Sequence, residues 1–134
     1  MQGRIPREPD VLVDRWASAV IGAAIEVHRA LGPGLLEAIY EEALCIEMKE
    51  RGIHFERQAP TIMYYKGYVV GEGRLDLLVE GCLIVELKAV NPLPPHAFAQ
   101  VLSYLRATHL QLGLIINFNT LLLKNNGIHR VVLS

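Results

Sequence analysis

The chain has 134 residues, enough for one domain with a substantial core. Apolar residues make up 51%, charged residues 20%, and 13 Lys+Arg against 14 Asp+Glu leave a net charge of −1. These values exclude a disordered chain and a strongly basic nucleic-acid coat.

Residues 1–9 are polar and broken by prolines, so they read as a flexible arm and not as a signal peptide. Residues 10–134 read as a single domain. From 11 to 31, Leu12, Trp16, Val20, Ala23, Val27 and Leu31 recur at steps of three and four, the apolar face of a helix. Gly32-Pro33-Gly34 breaks it. A second helix is expected over 35–51, with Leu36, Ile39, Tyr40, Ala43 and Ile46 inward. Glu41, Glu42, Glu47 and Glu50 are expected on its solvated side. Strand character begins near Ile53 and is strongest over 61–65. Lys66-Gly67 then reads as a turn, 68–70 as a returning strand and Gly71-Glu72-Gly73 as a bend. Two apolar strands follow at 75–79 and 83–89. Pro94-Pro95 opens a helix running to about 108, with Ala97, Phe98, Val101, Leu102 and Leu105 inward. Strands at 112–117 and 128–133 complete the order ααββββαββ, an α/β (α+β) arrangement with a mixed sheet flanked by helices.

No apolar run approaches the roughly 18 residues of a membrane span, so a cytoplasmic protein with no membrane partner is expected. Cys45 and Cys82 lie far apart without a CxxC, the pattern of buried free thiols in a reducing compartment.

The strands at 75–79 and 83–89 carry charges inside a core pattern. Odd positions are apolar on both: Leu75, Leu77 and Val79, then Leu83, Val85, Leu87 and Ala89. Joining the two apolar faces on one side requires paired residue numbers with an even sum. A two-residue turn breaks that rule. A three-residue connection at 80–82, or a bulge at Gly81, satisfies it and sets Asp76 across from Glu86, with Lys88 two residues along. Opposed carboxylates on a partly buried face both ionise only when a cation holds them. Their hard oxygens, with the peptide carbonyl of Leu87 as a third, suit Mg²⁺ or Mn²⁺. Lys88 would then orient a water or neutralise phosphate charge. A buried Glu–Lys–Asp network without metal explains the same spacing, and the residues alone leave both readings open.

The segment LDLLVEGCLIVELKAV, with its D-x9-E-x-K, resembles the core of the PD-(D/E)-x-K, restriction-endonuclease-like nuclease superfamily. GLLEAIY at 34–40 resembles the signature of its GxxExxY branch. AIEVHRALGPG at 24–34, YKG at 65–67, AQVLSYL at 99–105 and GLIINFN at 113–119 extend the likeness over about residues 10–134. The resemblance implies an αβββαβ core around a central mixed sheet, with an extra N-terminal helix. It implies Asp76 and Glu86 as metal ligands and Lys88 as the catalytic lysine. Glu37 is implied as the helix acid that supports the metal or its waters, and Gln100, with Tyr104 one turn beyond, as the polar residue of the later helix. Leu75 stands where the superfamily name has proline. The implied function is Mg²⁺- or Mn²⁺-dependent hydrolysis of nucleic acid, DNA above all, by an endo- or exonuclease. The alternative is a non-catalytic nucleic-acid-binding or assembly module that keeps the nuclease fold.

Other polar residues have plainer readings. His28 is expected to bond a backbone carbonyl, and His96 to be solvent-exposed. The nine arginines and four lysines are scattered. A duplex binder normally shows a basic face, so charge argues against the nuclease reading. A homodimer would widen the small footprint.

Overall fold

The computed structural model describes residues 10–133; the expected arm at 1–9 lies outside them. Two helices come first, α1 (Val11–Leu31) and α2 (Glu37–Glu50). Strands β1 (Phe55–Tyr65), β2 (Tyr68–Val79) and β3 (Leu83–Lys88) follow. Helix α3 (His96–Thr108) leads to β4 (Leu112–Asn117), the one-turn α4 (Leu123–Asn126) and β5 (Ile128–Val132). The five strands stand in the order β1-β2-β3-β4-β5. Only β3 and β4 are parallel, joined by the α3 crossover, so the sheet is mixed as expected. No helix among the described residues is long and apolar enough to cross a membrane.

Helices α1 and α2 cover one side of the sheet. Their buried residues Val20, Ala23, Tyr40, Leu44 and Met48 join Leu77, Val79, Leu83, Val85, Leu87, Leu114 and Ile116 in one cluster. On the other side Ala97, Val101 and Leu105 of α3 pack with Ala59, Leu75, Ile84, Ile115 and Val131. Strand β4 is buried along its whole length because both faces are covered.

Four expectations change. On α1, Val20, Ala23 and Val27 are buried as expected, but towards its start Val13 and Ala17 take the inward places expected of Leu12 and Trp16, and Leu12 and Leu31 are exposed. Helix α2 is apolar on two sides. The sheet takes Tyr40, Leu44, Cys45 and Met48, leaving Leu36, Ile39 and Ile46 in solvent, while Glu41, expected outside, is buried. Strands 68–70 and 75–79 are one strand, with β1 as a partner along its length. Gly71-Glu72-Gly73, expected as a bend, lies inside β2, with a register shift beside it where Met63 and Tyr64 pair with Gly71 and Val69, and a Cβ at Gly73 would stand 2.6 Å from the Tyr104 ring. The short α4 was not foreseen.

The β2–β3 register is the expected one. Leu77, Leu78 and Val79 face Val85, Ile84 and Leu83, and residues 80–82 form the connection. Glu80 (φ 51°) and Gly81 (φ 68°) turn the chain, and the Cys82 N–H donates to the Val79 carbonyl at 3.0 Å. Leu75, expected to share a face with Leu77, lies on the other side with α3. β1 switches sides at the same level: Arg57 bonds α2 acids, whereas Ala59 packs with α3. The switch falls at Gln58 (φ 50°) and, opposite it, Asp76.

Candidate functional site

Past Leu77–Val85 the β2–β3 ladder gives way to side chains. The Asp76 N–H donates to Glu86 Oε2 at 2.9 Å, and the Leu87 N–H donates to Asp76 Oδ2 at 2.8 Å. Two carboxylates thus fill the wedge where the strands separate. Neighbouring groups in a strand point to opposite sides, and the Lys88 carbonyl accepts from Phe118 N–H on the β4 side. The Leu87 carbonyl therefore points, like its N–H, into the wedge beside Asp76.

Glu86 is 4% exposed. Burial pushes its carboxyl up to about 8, and the neighbouring Asp76 adds to the rise. The Asp76 N–H and Lys88 oppose it. Burial also raises Asp76, against the Leu87 N–H, Lys88 and the Gln58 side chain. Glu37, the exposed first residue of α2, is raised by partial desolvation and then by Asp76, with Lys88 opposing. Glu37, Asp76, Glu86 and Lys88 therefore form one electrostatic group. Lys88, last in β3, is the cation within it.

The GLLEAIY segment has a mechanical reason. The Tyr40 hydroxyl accepts from the Leu35 N–H at 3.1 Å and donates to the Gly32 carbonyl. Its ring stacks on Phe118 at 4.4 Å. Gly34, at φ 97°, takes a backbone shape that a Cβ disfavours. Together they fix the start of α2 and hence Glu37. In GLIINFN, buried Asn117 exchanges hydrogen bonds with Val90 (3.1 and 2.9 Å) and ties down the chain just beyond Lys88. His28 bonds the Thr120 carbonyl at 2.8 Å, as expected.

Gln100 is exposed on α3 and makes no hydrogen bond among the described residues. Tyr104 sits beside Gly73, whose partner is Thr61, midway along the β1–β2 hairpin. Sequence reasoning missed Glu41, Arg57 and Gln58. Buried Glu41 accepts from Arg57 (3.0 and 3.2 Å) and from Gln58 Nε2 (3.2 Å). Its position four residues after Glu37, on the same helix face, was a usable signal. Nothing in the sequence marked Arg57 or Gln58.

A profile of the PD-(D/E)XK nuclease superfamily matches residues 14–131. The chain belongs to the PD-(D/E)XK nuclease superfamily. Membership supports a nuclease-type function, and with it a nucleic-acid substrate. A search among curated proteins finds no match. PD-(D/E)XK nucleases generally use divalent metals, and the donors here fit a hard cation: two close carboxylates and a carbonyl, all oxygen. Among the described residues no group of three or more His, Cys, Asp and Glu is placed to hold a metal ion, so such a cation would keep several waters.

Proposed function

We propose that this protein is a Mg²⁺- or Mn²⁺-dependent nuclease of the GxxExxY kind, hydrolysing nucleic acid, DNA above all, in the cytoplasm. We read residues 10–134 as its one domain, with a homodimer widening the footprint. The observation that carries the reading is the pair of backbone-anchored carboxylates, Asp76 and Glu86, with Lys88 beside them. Burying two acids together is costly unless something compensates their charge.

Asp76, Glu86 and the Leu87 carbonyl would hold the cation, which supplies Lewis-acid polarisation of the phosphodiester and a more acidic attacking water. Lys88 orients that water and neutralises charge on the phosphate as it is attacked in line. Glu37 supports the water network from the start of α2. Gln100, on α3, belongs to this reading as a substrate-side polar group.

The test is cleavage of plasmid and single-stranded substrates with Mg²⁺ or Mn²⁺. Activity that Lys88→Ala and Glu86→Ala abolish is the expected result. Cleavage no better than these variants on every substrate overturns it. Among the described residues no third acid is placed to ligate the cation, which favours a second reading, a nucleic-acid-binding or assembly module without catalysis. A stable dimer with no response to metal would select that module.

A further inference from the structure

We propose that the cleft next to Lys88 holds one nucleobase of the bound nucleic acid, its edge read by the side-chain amides of Asn91, Asn119 and Asn126, a role that rests on the nuclease function proposed above. The cleft has a volume of about 590 Å³ and lies among loops 91–93 and 119–121, Asn126 at the end of α4, and His129 of β5. Ordinary small-molecule sites are of this size. Strands β3 and β4 bring it to the carboxylate site. Lys88 pairs with Asn117 across the parallel ladder, and the Phe118 N–H donates to the Lys88 carbonyl at 2.9 Å. The loop that starts at Phe118 therefore leaves the sheet beside the lysine.

No Asp, Glu, Lys or Arg lines this cleft. Pro33, Pro92, Leu93 and Leu121 give it apolar surface, and Leu121 is 87% exposed there. The side chains of Asn91, Asn119 and Asn126 make no hydrogen bond among the described residues. A carboxamide offers a donor and an acceptor side by side, the arrangement that meets two adjacent atoms of a base edge. Asn117 has a different task. Its buried carboxamide accepts from the Val90 and Asn119 N–H groups at 3.1 and 3.2 Å and donates to the Val90 carbonyl at 2.9 Å, so one side chain ties both loops. Its own N–H donates to the Gly127 carbonyl at 2.8 Å and fixes the end of α4. The His129 ring stands edge-on to Phe98, 5.4 Å between centroids. Walls set in advance lower the cost of ordering a ligand. A phosphate finds no cation on them, whereas a flat, neutral ring with a polar edge matches both the apolar and the amide surfaces. No Asp or Glu follows Glu86 in the sequence, so a polyanion reaching Lys88 from this side meets no carboxylate on the cleft walls.

The test is run on the full chain in EDTA, so that metal-dependent cleavage does not intervene. Heteronuclear NMR follows the side-chain NH₂ groups. Deoxynucleosides, which carry no phosphate, are expected to shift those of Asn91, Asn119 and Asn126 saturably, while deoxyribose and inorganic phosphate leave them in place. Fluorescence anisotropy with a single-stranded oligonucleotide is the second measurement. Asn119→Ala and Asn126→Ala are each expected to weaken its binding about tenfold, the size of one good side-chain pairing with a base. Affinity for an abasic strand of the same charge should not change. Neither side chain bonds anything in the fold, so the thermal midpoints should hold. No shift with any of the common deoxynucleosides, shifts matched by deoxyribose, or equal losses on the abasic strand overturn the proposal. Cleavage with Mn²⁺ by a protein whose amides ignore nucleosides overturns the base cleft and leaves the nuclease reading standing. Nucleoside binding by a protein that cleaves no substrate supports the cleft and overturns the nuclease reading instead.

Discussion

The main-chain N–H of Asp76 donates to the carboxylate of Glu86 at 2.9 Å, where an ordinary hairpin would have continued its ladder. The carboxylate of Asp76 in turn takes the N–H of Leu87 at 2.8 Å. Each acid is thereby fixed by the strand of the other, so changing either one acts on both.

The first consequence is a pH dependence of stability. Glu86 titrates near 8 in the fold against an ordinary value of 4.5. A carboxyl raised on folding binds its proton more tightly in the native state, so its contribution is full below about 4.5 and is lost as pH rises through 8. Asp76 and Glu37, also raised, act in the same direction. The thermal midpoint of the metal-free protein should fall by several degrees between pH 5 and pH 8. Glu86→Gln should flatten that slope, as measured by calorimetric scans across pH.

Metal binding should expel the same proton. At pH 7 Glu86 is largely protonated, so taking up Mn²⁺ should release about one proton per site. Calorimetry in buffers of different ionisation enthalpy measures this directly. At a hundredfold excess over the dissociation constant, Mn²⁺ should stabilise the fold by about 2.7 kcal/mol. Asp76→Asn should abolish both effects.

Tyr40 offers a test of how the start of α2 is held. Tyr40→Phe keeps the ring on Phe118 and removes the hydroxyl that bridges Leu35 and Gly32. A stability loss of about 1 kcal/mol is expected by urea unfolding. Tyr40→Ala, which also empties a fully buried site, should cost about 3–5 kcal/mol.

Gly73 tests the packing of α3 on the hairpin. Gly73→Ala places a methyl 2.6 Å from the Tyr104 ring and should cost about 1–3 kcal/mol. Tyr104→Ala removes the obstacle, so the double variant should be more stable than the sum of the two single losses allows. A double-mutant cycle measured by denaturant unfolding gives the coupling.

Much of the chemistry was legible from the residues in order. The alternation of apolar positions on β2 and β3 required an even register sum, and that arithmetic placed residues 80–82 in the connection. Leu75 escaped it. Alternation assumes an unbroken pleat, and the switch at Gln58 and Asp76 breaks it. The apolar residues of α2 could not say which side faces inward, because Leu36, Ile39 and Ile46 recur as helically as Tyr40, Leu44 and Met48.

The sequence by itself determined the family, the sheet-and-helix plan and the D-x9-E-x-K spacing, because hydrophobic period and motif spacing are local properties. Only the tertiary structure decided that Glu41 is buried, that Gln58 stands opposite Asp76, and that two carboxylates replace the end of a ladder. Those outcomes depend on which helix face meets the sheet and where two strands separate. Both are settled by packing between segments far apart in the chain.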